Sequence, residues 1–253
     1  MMYDGGLFLC PAEPDKLQNV LDAGTGTGAW AMDLADEQPQ AQIVGVDLSP
    51  IQPSFVPPNV RFYVDDLEDQ WTFSTKFDLI YARMLTGSLS DWPKFFKQSY
   101  DALQPGGYIE LSDIIFPLES DDGTLPKDSA LNQWGELCNK AAHVLNRPLD
   151  SARLYSKQLA EAGFTNITER HFKWPQNRWP KDPKYKELGL WTYEDIGKNV
   201  DGLSVALFTR GLKWSPEEFE AFLVDVRKQM KDPRIHAYFN IWIVYAQKPT
   251  TAT

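Results

Sequence analysis

Residues 19–28 read Asn-Val-Leu-Asp-Ala-Gly-Thr-Gly-Thr-Gly, the stretch of this 253-residue chain best suited to chemistry. Gly24, Gly26 and Gly28 let the backbone approach a ligand and adopt positive φ. Asp22 puts a carboxylate just ahead of them, and Asp47 adds a second about 20 residues on, at the end of another apolar run. A strand that feeds a Gly-rich turn and then a helix start, with an acid at the next strand end, is how α/β sheets bind nucleotide-like molecules.

The elements that position these residues follow from the pattern. Val20 and Leu21 end a first strand, and Ala29 to Ala35 begin a helix. Gln42 to Val46 form a second strand ending at Asp47. Pro50, Pro53, Pro57 and Pro58 then forbid a long helix before a third strand, Val60 to Val64. The acidic run Asp65 to Asp69 follows, and Phe77 to Ala82 form a fourth strand. Asp91-Trp92-Pro93 reads as a helix start, with Phe95, Phe96 and Leu103 facing the core. Gln104-Pro105-Gly106-Gly107 stops that helix ahead of a fifth strand, Tyr108 to Ile115. Strands alternating with helices predict a mostly parallel sheet covered on both faces.

Farther on, 129–145 and 151–162 read as helices, the second closed by Gly163. Phe164 to Phe172 and Phe239 to Ala246 read as strands pairing antiparallel at one edge. Ser215-Pro216-Glu217-Glu218 opens a helix with Phe219, Phe222, Leu223 and Val226 on one face. Residues 174–214 lack helical periodicity and are rich in Pro and aromatics, and Trp174, Trp179 and Trp191 there are expected to line a pocket as a lid. The expected organisation is one domain over 1–253, with residues 14–116 as the binding half and 117–253 supplying helices, lid and last strands.

Composition narrows the function. Hydrophobic residues make up 43% of the chain, enough for a sizeable core. A net charge of −10 disfavours nucleic acid or an anionic membrane as partner. Cys10 and Cys138 are the only cysteines, too few for a disulfide framework or a zinc cluster, and fit a reducing compartment. No apolar run approaches 18 residues and no signal-peptide pattern follows Met1, so the cytoplasm is expected, with the nucleus open. No metal-ligand spacing or Ser-His-Asp order stands out.

Two nucleotide-like ligands compete. Gly24-x-Gly26-x-x-Ala29 formally satisfies the dinucleotide fingerprint, with Asp47 on a ribose. Asp22 opposes that reading, because a carboxylate there repels a pyrophosphate and attracts a cation. S-adenosylmethionine carries a sulfonium and an ammonium and no phosphate. None of the ten tyrosines has Lys four residues on, which removes the short-chain dehydrogenases and leaves other dehydrogenases open.

Asp-x-Gly-x-Gly-x-Gly, the acid at Asp47, the acidic cluster after the third strand and the Gln104–Gly107 turn together resemble class I S-adenosylmethionine-dependent methyltransferases. Asp47-Leu48-Ser49-Pro50-Ile51-Gln52-Pro53, Gly87-Ser88-Leu89-Ser90-Asp91-Trp92, Trp179-Pro180-Lys181-Asp182-Pro183, Gly211-Leu212-Lys213-Trp214 and Asp232-Pro233-Arg234-Ile235-His236-Ala237-Tyr238 are similar to the fungal LaeA-like methyltransferases. The likeness runs from about Gly5 to Lys248. It implies a Rossmann-like α/β fold, a mostly parallel seven-stranded sheet with an antiparallel edge strand, and a helical, aromatic lid. It implies methyl transfer from S-adenosylmethionine, leaving S-adenosylhomocysteine, to a small molecule of fungal secondary metabolism. The alternatives are a LaeA-like nuclear regulator with a protein partner, or a non-methylating reaction such as a cyclisation. A homodimer is compatible with each.

The resemblance also implies residue roles. Asp22 and the backbone of Gly24, with Thr25 and Gly26, hold the methionine portion. Asp47 takes the ribose hydroxyls and Leu48 lies beside it. Asp65, Asp66 and Leu67 meet the adenine. Tyr81 and Arg83 end the fourth strand, where substrate lies, Arg83 serving both ligands, and Trp92 joins the lid tryptophans around the substrate. Apart from the resemblance, a poorly nucleophilic acceptor needs a base, and His143, on a helix after the fifth strand, is the candidate. Family members usually carry a helical segment ahead of the stretch matching Gly5 to Leu9 that helps cover the pocket. The present sequence begins almost at that stretch, so weaker cofactor retention than in an extended chain is expected.

Overall fold

The first three strands, runs of five or six residues that end in or just before an acid or a glycine, open the central sheet of a computed structural model that describes residues 5–250. Met1 and the outermost ends of the expected 1–253 unit lie outside those residues. Strands β1 (Asn19–Ala23), β2 (Gln42–Asp47), β3 (Val60–Val64), β4 (Phe77–Arg83) and β5 (Leu103–Glu119) run parallel. β6 (Thr165–Pro175) and β7 (Tyr238–Gln247) complete a seven-stranded sheet in the order β3-β2-β1-β4-β5-β7-β6. β7 is antiparallel to both its neighbours, which leaves β6 at the edge and bears out the expected pairing of the last two strands.

Helices cover both faces. α1 (Ala29–Glu37) buries Trp30, Ala31 and Leu34 against Val20 and Ile43. On the other face α2 (Trp92–Ala102) and α4 (Tyr155–Glu161) pack Phe95, Phe96 and Tyr155 over Leu21, Ile80 and Ile109. α3 (Ala130–Val144) and α7 (Pro216–Lys231) close over the far ends of β5 and β7. Caps set these boundaries. Asp91 accepts the Lys94 amide at 3.0 Å, Ser129 that of Asn132 at 3.2 Å, and Ser215 with Glu218 forms a reciprocal capping box. The helix expected over 151–162 is shorter: Ser151–Leu154 is a 3₁₀ turn leading into α4. No described helix is long and apolar enough to cross a membrane.

Residues 174–214 depart from the irregular chain that their missing periodicity predicts and agree with the helical segment that the resemblance implies. They are largely helical: α5 (Pro183–Thr192), a π-helical turn Tyr193–Gly197, α6 (Val200–Ala206) and a second π-helical turn Leu207–Gly211. Thr192, Ile196, Val200, Ser204 and Phe208 are buried, a spacing of four rather than 3.6. Each π turn inserts extra chain into the helix, so the buried face drifts and includes Thr and Ser. That is why no amphipathic pattern is visible. Trp174 belongs to the end of β6, not to this insertion.

Candidate functional site

Three successive amides of the glycine turn are tied to the end of β2. The amides of Gly24 and Thr25 donate to the Val46 carbonyl at 2.8 and 2.9 Å. The Gly26 amide donates to Asp47 Oδ2 at 2.8 Å, while Asp47 Oδ1 accepts the Ser49 amide at 2.9 Å. Gln52 Nε2 clamps the loop from outside, donating to the carbonyls of Gly26 (2.6 Å) and Ser49 (2.9 Å). Gly24, Gly26 and Gly28 all have positive φ. The loop is therefore preorganised, and each Asp47 oxygen, engaged once, retains a lone pair for another donor.

A cavity of about 420 Å³ opens over this loop at the carboxyl ends of β1 and β4. Its wall includes Asp22, Gly24–Thr27, Trp30, Tyr81, Arg83, Met84, Trp174 and Asp195. Trp30 lies flat on Tyr81, with ring centroids 4.0 Å apart and planes at 7°, and its Nε1 donates to the Leu7 carbonyl. The Asp22 Oδ2 atom accepts the Thr25 hydroxyl at 2.5 Å. Burial raises the Asp22 pKa to about 6, against the lowering effects of that hydrogen bond and of Arg83. Two carboxylates and one guanidinium thus share the wall, a donor set that fits a ligand with two cationic centres and one carboxylate.

The structure gathers Asp22, Gly24, Thr25, Gly26, Tyr81, Arg83 and Trp174 at one cavity, with Asp47 bonded to its floor. The Asp65 amide donates to the Asp47 carbonyl at 3.1 Å, which ties the loop after β3 to the same strand end. Other expected members fall elsewhere. Leu48 is exposed, Asp66 Oδ1 accepts the Glu68 amide, and Leu67 is buried in the core, none of them lining the cavity. Trp92 is core, packed on Phe95, Phe96 and Tyr155. The Trp179 indole stacks on His236 and donates to the Ala237 carbonyl at 2.9 Å. Trp191 is 59% exposed on α5. His143 pairs with Asp150 at 2.9 Å on the surface end of α3. None of these four lines the cavity.

The sequence reading missed Thr27, Trp30, Met84 and Asp195. Trp30 carried a signal, since it lies four residues past Gly26 in the first helical turn. Asp195 carried none, because it sits in the first π turn.

Comparisons with known proteins accord with this geometry. The profile of a methyltransferase domain matches residues 4–169. The methyltransferase pytC of Aspergillus terreus is 42% identical over 244 residues, covering 96% of this chain and 75% of that protein. The secondary metabolism regulator LAE1 of Cochliobolus heterostrophus is 38% identical over 243 residues, covering 94% and 79%. Among solved structures, the Haemonchus contortus phosphoethanolamine N-methyltransferase 2 in complex with S-adenosyl-L-methionine shares the fold, with a TM-score of 0.53 at 20% identity, over 92% of this chain and 49% of that one. The chain belongs to the methyltransferase family, in the same group as pytC and LAE1.

Proposed function

We propose that this chain transfers a methyl group from S-adenosylmethionine to a small-molecule acceptor in fungal secondary metabolism. The observation that carries the reading is the cavity over the glycine turn, with Asp22 and Asp195 set against Arg83 on its wall and Asp47 beneath it. Asp22 faces the cationic groups, Arg83 the carboxylate, and Asp47 the ribose hydroxyls. The Trp30–Tyr81 stack adds aromatic surface beside a sulfonium, an attraction worth up to about 2 kcal/mol when desolvated. Bound S-adenosylmethionine supplies a methyl group already activated for displacement, so the protein's task is to position it and exclude water.

Calorimetric titration with S-adenosylhomocysteine tests the reading. Wild type should bind, and Asp47→Ala should lose about 2–3 kcal/mol, because hydrogen bonds to a charged acceptor and the brace on Gly26 vanish together. An unchanged dissociation constant in a folded variant would remove Asp47 from the site. Binding without turnover on any small molecule would favour the regulator reading, and turnover without added cofactor a non-methylating one.

The same titration has a predicted pH dependence. Only ionised Asp22 attracts the ammonium, and its pKa in the free protein is about 6. Affinity should hold above that value and weaken below it, by up to about tenfold per pH unit. Asp22→Asn should bind weakly throughout and lose the slope. A flat profile in wild type from pH 5 to 8 would rule the carboxylate out.

A further inference from the structure

Past Met84 and Asp195, which line both spaces, lies a second cavity of about 230 Å³. Its remaining wall is almost entirely carbon and sulfur, chiefly Ile114 and Phe116 of β5, Trp134 and Cys138 of α3, and Leu207 of the second π turn. Trp134 Nε1 is committed to Ser204 Oγ at 3.0 Å, so its ring offers an apolar surface. Two polar groups interrupt this wall. Thr86 Oγ1 lies 3.1 Å from Ser151 Oγ. Asp195 is exposed, and among the described residues no hydrogen bond or ion pair engages its carboxylate; its backbone carbonyl accepts from Asn199 Nδ2.

The junction between the two cavities is built from irregular backbone. Met84 holds φ 56, a region that side chains other than glycine seldom adopt, and Asp195 sits within the π turn Tyr193–Gly197. Such features persist where the surrounding structure holds them in place, and they cluster at ligand sites.

We propose that the second cavity is the acceptor site, that it takes an uncharged aromatic or branched aliphatic group bearing one O–H or N–H, and that Asp195 positions this polar atom at the junction by accepting its hydrogen bond. The proposal rests on the methyltransferase reading. A charge carried past Asp195 into the cavity is disfavoured, since among Ile114, Phe116 and Trp134 it would go uncompensated. The volume is below the roughly 300–1,000 Å³ of drug-sized sites, so it receives one ring system or one arm of a larger molecule. Asp195 is a positioning residue, and the measurement must show selectivity as well as strength.

The probes are 2-naphthol and its methyl ether, 2-methoxynaphthalene, which has no donor; binding is followed by ligand-detected NMR, with folding checked by circular dichroism. Wild type should favour the naphthol by about tenfold, the scale of one hydrogen bond to a charged acceptor. Asp195→Ala should still bind both probes and lose the preference. Leu207→Trp, and separately Cys138→Leu, should bind both probes at least about tenfold more weakly by filling the cavity, with S-adenosylhomocysteine affinity retained. The proposal is overturned if wild type binds neither probe, if the preference survives in Asp195→Ala, or if both filled variants bind as wild type does. If the naphthol results come out as expected while S-adenosylhomocysteine fails to bind wild type, the apolar site stands and the cofactor assignment falls.

Discussion

Gly26→Val is expected to abolish S-adenosylhomocysteine binding, a loss of at least about 100-fold, while the protein remains folded. A Cβ at Gly26 meets no described atom within 4 Å, so nothing in the protein blocks it. The cost to folding is confined to holding a β-branched residue at φ +57, roughly 1–2 kcal/mol. The added side chain enters the cavity that Gly26 lines. The neighbouring glycines behave differently. A Cβ at Gly24 would lie 2.3 Å from Leu85 Cδ2, and one at Gly28 2.3 Å from Phe62 Cζ, so valine at either should damage folding before any ligand is added. Thermal melting beside calorimetry separates the cases. Normal binding by a folded Gly26→Val protein would mean that this glycine serves only the turn.

The second large effect concerns Glu110, wholly buried in β5. Its carboxylate accepts the Leu9 amide at 2.8 and 3.0 Å and the Cys10 amide at 2.6 Å, strapping residues 100 positions away across the sheet. Burial lifts its pKa to about 7, partly offset by those amides. The folded value exceeds the ordinary 4.5, so the folded state binds the extra proton. Stability from this group is complete below about pH 4.5 and is lost as pH rises through 7, on the order of 3 kcal/mol in all. Asp22 and Asp113, both raised to about 6 by burial, act with the same sign. Denaturant unfolding from pH 5 to 8 should show stability falling in wild type and a shallower fall in Glu110→Gln. Equal slopes would contradict the assignment. Glu110→Ala, which orphans the buried Cys10 amide and the half-buried Leu9 amide, should lose about 2–5 kcal/mol at pH 5.

The cofactor half was legible because short-range chemistry dictates it. Pro50 to Pro58 exclude a helix between β2 and β3, Asp91 caps α2, and the glycines must sit where φ is positive. The proposed acceptor side was legible only in part. Ile114 of β5, and Trp134 and Cys138 of α3, sit on elements that the sequence predicts, whereas Asp195 and Leu207 come from π turns, which no helical periodicity marks. The tryptophans show the same limit from another direction. Trp92, Trp179 and Trp191 are alike in composition, yet one is core, one is hydrogen-bonded to a distant carbonyl, and one faces solvent. Only the fold separates them. His143 looked like a base on its helix, but the surface neighbour Asp150 accounts for its position.

The place of β7 between β5 and β6 has a consequence for synthesis. β5 ends at Glu119 and β7 begins at Tyr238. At about 5–20 residues per second, β5 waits roughly 6–24 s after it is made for its second partner. Throughout that time a long, apolar strand presents an open hydrogen-bonding edge, a template for wrong pairing. β6 is made first and could claim that edge. It carries Glu169, Arg170, His171 and Lys173 close together, and in the finished sheet most of its residues stay solvated. Docked on β5 it would bring charge toward a core that β7 fills with Phe239, Ile241 and Ile243. The polarity of the edge strand thus disfavours its taking the inner position before β7 is made.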